Sequence, residues 1–201
     1  MVRAQSLYLW GSWFESRQAD MNDKRQGDVS ISLAQVADIH GIQEVWFQSW
    51  LVTYPNEELG VTRAGVEERW KDRHSDEKTE RLRRFIERPN DTERIFVAKE
   101  EGEIVGLCRV AREGAFNELN ALYVAPIALG RGIGTSLWQH TLTFLDTSKP
   151  TYVYVATYNE RAVAFYQKKG FKDTGGRVTE DRFRIDGIMI PQLEMKAPAY
   201  H

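Results

Sequence analysis

The chain has 201 residues, of which 42% are hydrophobic, 11% aromatic and 28% charged, which supplies apolar surface for one packed core and excludes wholesale disorder. Its 27 basic and 29 acidic side chains leave a formal net charge of −2, so no global positive field gathers a nucleic acid, and none is expected as a partner. The single cysteine, Cys108, excludes an internal disulfide and a thiolate zinc cluster and makes the cytoplasm the expected compartment.

Residues 1–28 are expected to form a flexible arm ahead of one domain spanning 29–201. The aromatic segment 7–14 is broken by Gly11 and Ser12 and is followed by no small-residue cleavage site, unlike a signal peptide. No run reaches the ~18 apolar residues of a membrane helix, so no membrane partner is expected. Met21 opens a polar stretch that leads into the first strand, which fits a start of translation there. Val29–Leu33 alternates apolar and polar residues as a strand does. Ile39, Ile42, Val45, Trp46 and Trp50 then recur at helical spacing until Tyr54-Pro55 stops them, because the residue before proline avoids helical dihedrals. Residues 62–70 and 75–88 predict two more helices, the second with Leu82, Phe85 and Ile86 on one side and charges on the other. Both are expected to lie at the surface over a groove.

The period then changes from helical to alternating. Residues 94–100, 103–112 and 116–124 predict three strands, the first two joined by a tight turn at Glu101 and Gly102, so antiparallel pairing is expected. A helix over 132–145, a strand over 151–158, a helix over 159–169 and extended stretches at 171–175, 182–185 and 188–195 complete the pattern. The expected fold class is α/β, with a mixed, mainly antiparallel central sheet flanked by helices.

The most informative segment runs from Leu119 to Gly134, a strand that enters a loop of alternating glycines and then an amphipathic helix whose buried face carries Ile133, Leu137, Thr141 and Leu145. Gly130, Gly132 and Gly134 remove side chains where amides at a helix start face an anion, so the physical expectation is a phosphate or pyrophosphate site. A Walker loop is excluded, because Gly134-Thr135 lacks the lysine. A dinucleotide fingerprint is a poor match: Leu137 stands where its third glycine belongs, although Glu160 has the spacing of a ribose-binding acid.

The segment Tyr123-Val-Ala-Pro-Ile-Ala-Leu-Gly-Arg-Gly-Ile-Gly134 resembles the acetyl-CoA-binding motif of the GNAT N-acetyltransferase superfamily, with Leu129 departing from its usual Gln or Arg. Asn159-Glu-Arg-Ala-Val-Ala-Phe-Tyr-Gln-Lys-Lys-Gly-Phe171 resembles the later motif of the same superfamily. The resemblance implies an acetyl-CoA-dependent N-acetyltransferase that acts by direct attack of a primary amine. In it, Leu122, Tyr123 and Val124 would pair with the pantetheine arm like an added strand. Leu129, Gly130, Arg131, Gly132, Ile133, Gly134 and Thr135 would cradle the pyrophosphate, and Asn159 and Ala162 would contact the cofactor from the next helix. Lys168 and Lys169 could approach the ribose phosphate. Tyr166, with an ordinary pKa of ~10, would be the general acid for the leaving thiolate. Glu118 matches a catalytic glutamate of the histone-modifying branch, with a water chain as the other source of a base.

The acceptor is expected across the sheet from the cofactor, against Trp46, Trp50 and Tyr54, with Glu57 and Glu58 attracting a cationic amine. The segments 54–60 and 190–195 resemble a bacterial branch that includes polyamine acetyltransferases. A small amine is the expected substrate. The alternatives are a protein N-terminus, a protein lysine, or a noncatalytic acyl-CoA-binding sensor, and a homodimer is left open. Core packing explains the tryptophans equally well. The four histidines show no ligand spacing, so no metal is expected. Cys108 lies one strand before the motif with no histidine near it in sequence, which argues against an acyl-cysteine intermediate.

Overall fold

The apolar periodicities resolve, in chain order, into β1 (Val29–Leu33), α1 (Ile39–Thr53), α2 (Arg63–Arg69), α3 (Asp76–Glu87), β2 (Glu93–Glu100), β3 (Glu103–Glu113), β4 (Phe116–Val124), α4 (Ile133–Thr141), β5 (Thr151–Ala156), α5 (Glu160–Lys168), β6 (Lys172–Val178), β7 (Arg184–Ile185), β8 (Ile188–Met189) and β9 (Gln192–Ala197). The structure is a computed structural model that describes residues 28–199. The expected arm, apart from Asp28, and the start at Met21 lie outside the described residues. Among the described residues no helix is long and apolar enough to cross a membrane.

Seven strands form one sheet in the order β1-β2-β3-β4-β5-β9-β6. Every neighbouring pair is antiparallel except β4 and β5, which are parallel because the chain crosses between them through α4. The β2–β3 turn places Glu101 at φ 51° and Gly102 at φ 87°, the paired positive values a two-residue hairpin needs. Two features of β4 position the site. Its ladder with β5 covers only Asn117 to Leu119 opposite Thr151 to Val153, so both strands run on past their last pairing. Opposite β3, Arg109 faces Ala121 and Val110 faces Leu119, which leaves Asn120 as the extra residue of a bulge.

The main core lies between the sheet and the helices, with Leu107, Leu119, Leu137 and Met195 fully buried, each stabilising the fold by about 1.5–3 kcal/mol. α1 sits so close on β3 that a Cβ on Gly41 would come within 2.6 Å of Ile104 Cγ1. A second core joins Phe47, Trp50 and Leu51 of α1 and Tyr54 at its end to Val66, Phe183, Ile185 and Ile190. Side-chain oxygens start α2, α3 and α5: Thr62 accepts from the Gly65 amide, Ser75 from that of Lys78, and Asn159 from that of Ala162.

Three boundaries differ from the sequence expectation. The helix expected over 132–145 stops at Thr141, where the hydroxyls of Thr141 and Thr143 take the carbonyls of Trp138 and His140 and the chain tightens into three-residue turns. The strand expected to reach 158 stops at Ala156, whose carbonyl accepts from the Asn159 amide in the turn that sets up the cap of α5. Residues 182–189 do not join the main sheet. β7 and β8 pair with each other around Asp186 and Gly187, at φ 48° and 78°, an Asp-Gly hairpin visible in the sequence.

Candidate active site

Past the point where β4 and β5 stop pairing, a groove of roughly 500 Å3 opens between the end of β4, the loop that follows it, the first turn of α4, the length of α5 and the last turn of α1. It is lined by Leu122, Tyr123, Val124, Leu129, Gly130, Gly132, Ile133, Gly134, Thr135, Asn159, Ala162 and Tyr166. Gly130 and Gly132 hold φ values of 79° and 82°, which an L side chain rarely adopts, although a Cβ at either would meet nothing within 4 Å. Gly132 is the N-cap of α4 and offers no side-chain oxygen, so the amides of the first turn lack an intrahelical or capping partner. These amides and the partly unpaired strand β4 suit a phosphate and an extended amide-bearing arm, which is the chemistry of coenzyme A.

Tyr166, on α5, is 6% exposed and packs against the rings of Phe165 and Phe171 at 5.3 and 5.4 Å. Burial, with Cys108 and Tyr123 nearby, pushes its phenol far above the ordinary value, so it holds its proton throughout the neutral range. Cys108 is fully buried, and burial pushes its thiol well up too, which leaves it a core side chain rather than a nucleophile.

Tyr123 lines both this groove and a second cavity of roughly 500 Å3 on the far side of β4. That cavity is walled by α1, α2, α3, β2 to β4 and residues 182–183, and includes Trp46, Trp50, Arg69, Trp70, Arg73, Arg81, Arg109, Asn120 and Arg182. The Tyr123 hydroxyl lies 3.3 Å from that of Tyr54. Burial pushes the Tyr123 phenol up, and the surrounding Tyr54 hydroxyl and the indoles of Trp50 and Trp46 pull it part of the way back.

The structure places several expected site residues elsewhere. Glu118 lines neither cavity; its carboxylate accepts from Arg182 at 3.2 Å and so holds a wall residue of the second cavity. The Arg131 side chain turns away from the groove into a two-pronged contact with the buried Glu100, and only its neighbours line the groove. Tyr54 is buried and does not line the second cavity, its ring tilted 44° to that of Trp50 with centroids 4.3 Å apart, while Trp46 and Trp50 line it. Glu57 and Glu58 are exposed and line neither space. Ser49, Phe165 and Lys168 line the groove as well, and of these Lys168 carries a sequence signal at the end of the second motif.

His40 and His74, far apart in sequence, stack with ring centroids 4.3 Å apart beside Glu44, and ligand atoms of the three lie within 4.8 Å of one another. These are the described residues that could hold a cation. Their hydrogen bonds are largely spoken for: Glu44 Oε1 accepts from Arg73 Nε at 2.6 Å and meets His74 Nε2 at 2.5 Å, and His74 Nδ1 meets Gln43 Oε1 at 2.8 Å. Burial alone would raise the Glu44 carboxyl, but His74 and Arg73 hold it below its ordinary value.

The mixed sheet with helices against it, opened beside a glycine-rich helix start, is the acyltransferase architecture that the two motifs imply. The chain belongs to the GNAT acetyltransferase family: the family model described as an acetyltransferase (GNAT) domain matches residues 52–189. The fold is shared with the PaiA N-acetyltransferase of Thermoplasma acidophilum, solved in complex with coenzyme A, at a TM-score of 0.65 and 21% identity over 85% of this chain and 99% of that one. It is also shared with the ribosomal-protein-S18-alanine N-acetyltransferase of Escherichia coli, at a TM-score of 0.59 and 13% identity over 87% of this chain and 96% of that one. In sequence, 63 residues are 38% identical to the peptidyl-lysine N-acetyltransferase YjaB of Salmonella typhimurium, which covers 31% of this chain and 41% of that protein. The match therefore spans less than half the length of this curated relative.

Proposed function

We propose that the protein transfers the acetyl group of acetyl-CoA to a primary amine of a small molecule, by direct attack and with Tyr166 as the general acid. The observation that carries this reading is the meeting of the two cavities at Tyr123: one has the amides suited to coenzyme A and contains Tyr166, and the other has room for an acceptor. When bound, acetyl-CoA supplies the activated acyl carbon and a thiolate leaving group. Residues 129–135 bind the pyrophosphate through main-chain amides, with Lys168 at the groove wall as an added cation. The free edge of β4 at Leu122 to Val124 orients the pantetheine arm, and Asn159 and Ala162 border it from α5. Tyr166 holds the proton that the departing sulfur needs. The amine loses its proton to solvent water, since Glu118 is engaged by Arg182 and lines neither cavity.

Helices α2 and α3 wall the second cavity, which supports a small acceptor over an extended peptide. The name of the Salmonella relative favours the other reading, a protein lysine. The deciding experiment follows thiol release from acetyl-CoA with a panel of small amines and of lysine-containing and N-terminal peptides, alongside calorimetry of coenzyme A binding. Release with small amines is expected. Release with peptides alone would select the protein-acetylating reading, and coenzyme binding without release in any arm would select the sensor.

A further inference from the structure

We infer that the second cavity recognises an oxyanion, and that the acceptor is an amine whose own molecule carries a carboxylate, held by Arg69, Arg81 and Arg109. The inference rests on the N-acetyltransferase reading and names the substrate class of that same site.

In a chain with net charge −2, six cations (Arg69, Arg73, Lys78, Arg81, Arg109 and Arg182) line this one space, and no Asp or Glu does. Four of the six are paired with carboxylates that do not line the cavity. Arg73 meets Glu44 at 2.6 Å, Lys78 meets Asp72 at 2.5 Å, Arg109 meets Glu93 at 3.0 Å, and Arg182 meets Glu118 at 3.2 Å. Among the described residues no carboxylate pairs with Arg69 or Arg81. Arg69 instead stacks over the Trp50 ring at 5.3 Å and donates to the Arg182 carbonyl at 2.7 Å, a posture that fixes a guanidinium without neutralising it.

Unused hydrogen-bonding capacity gathers in the same place. Of the buried side-chain polar atoms that find no partner among the described residues, Trp70 Nε1, Arg109 Nε and Asn120 Oδ1 belong to residues of this cavity. Each unmade bond costs about 1–3 kcal/mol, so their concentration in one cavity calls for a polar occupant. The excess is in donors, which a carboxylate satisfies because it only accepts. The lone acceptor, Asn120, is the bulge residue of β4, three positions from the Tyr123 junction, and suits the amine end. A polyamine, by contrast, would meet like charge on every side of this wall.

The test uses the full chain and pairs of amines that differ only in the anion: alanine against alaninamide, and phosphoethanolamine against ethanolamine, with spermidine as the cationic arm. Binding to protein saturated with coenzyme A is measured by calorimetry, and turnover by thiol release. Alanine is expected to bind at least ~10-fold more tightly than alaninamide, with a matching gain in kcat/KM. Arg81→Gln and Arg69→Gln are expected to bring that ratio towards one, and Arg81→Lys to restore part of it. The proposal is overturned by equal or tighter binding of alaninamide or spermidine, by a preference confined to the phosphate pair, or by no measurable binding of any arm. Alanine-selective binding without thiol release would uphold the anion site and refute the transferase reading instead.

Discussion

The two cavities that meet at Tyr123 are built by opposite means. The groove is made chiefly of main chain: a strand edge freed where β4 and β5 stop pairing, two glycines at positive φ, and a helix start with no side-chain cap. The second cavity is made of side chains, half of them arginines and tryptophans, from α1, α2, α3, β2, β3, β4 and the segment before β7. Chemistry common to a family can rest on backbone amides, which tolerate the Leu129 departure. In the proposed function, choice of acceptor would rest on side chains that meet only through tertiary packing.

That contrast can be broken first at the reacting centre. Tyr166→Phe removes the proton but keeps the packed ring, so kcat is expected to fall by about 100-fold or more with coenzyme A affinity little changed. An unchanged kcat would detach Tyr166 from the chemistry. Next, Glu44→Gln removes the buried partner of Arg73 on the second-cavity side, and is expected to cost about 3 kcal/mol in denaturant unfolding while leaving coenzyme affinity intact. The depressed Glu44 carboxyl fixes the sign of a pH effect. Its contribution is fully present above its unfolded pKa, about 4.5, and is lost as pH falls through the lower folded value, so a melting curve against pH should lose that acid-side slope in the variant. On the groove side, Gly132→Ala places a side chain at φ 82° and is expected to weaken coenzyme A binding by about 10-fold, at a strain of ~1–2 kcal/mol, without altering acceptor preference. The smallest effect is expected from Asn159→Ala, which deletes the α5 cap for ~1 kcal/mol of stability.

The same division explains what the sequence disclosed. The strand, glycine loop and helix from Leu119 to Thr141 are continuous, so period and glycine spacing expose both the groove and the family. The cap at Asn159 and the position of Tyr166, two turns on, follow from one short helix. α2 and α3 lie over a groove as their pattern leads one to expect, but their charges read as a solvated face, and nothing in the spacing says that Arg69 and Arg81 line the cavity. Glu118 shows the converse: its spacing from the glycines fits a catalytic base, and tertiary packing sets its carboxylate against Arg182. His40 and His74 are 34 positions apart and meet only because the chain returns over α1.

Cys108 has a practical consequence. As the chain's one thiol, sealed in the core beside Tyr166, it is out of reach of chromogenic disulfides and alkylating reagents while the fold is closed. Assays that count liberated coenzyme thiol therefore carry little background from the folded protein. Slow labelling of Cys108 becomes a clock for how often the sheet opens.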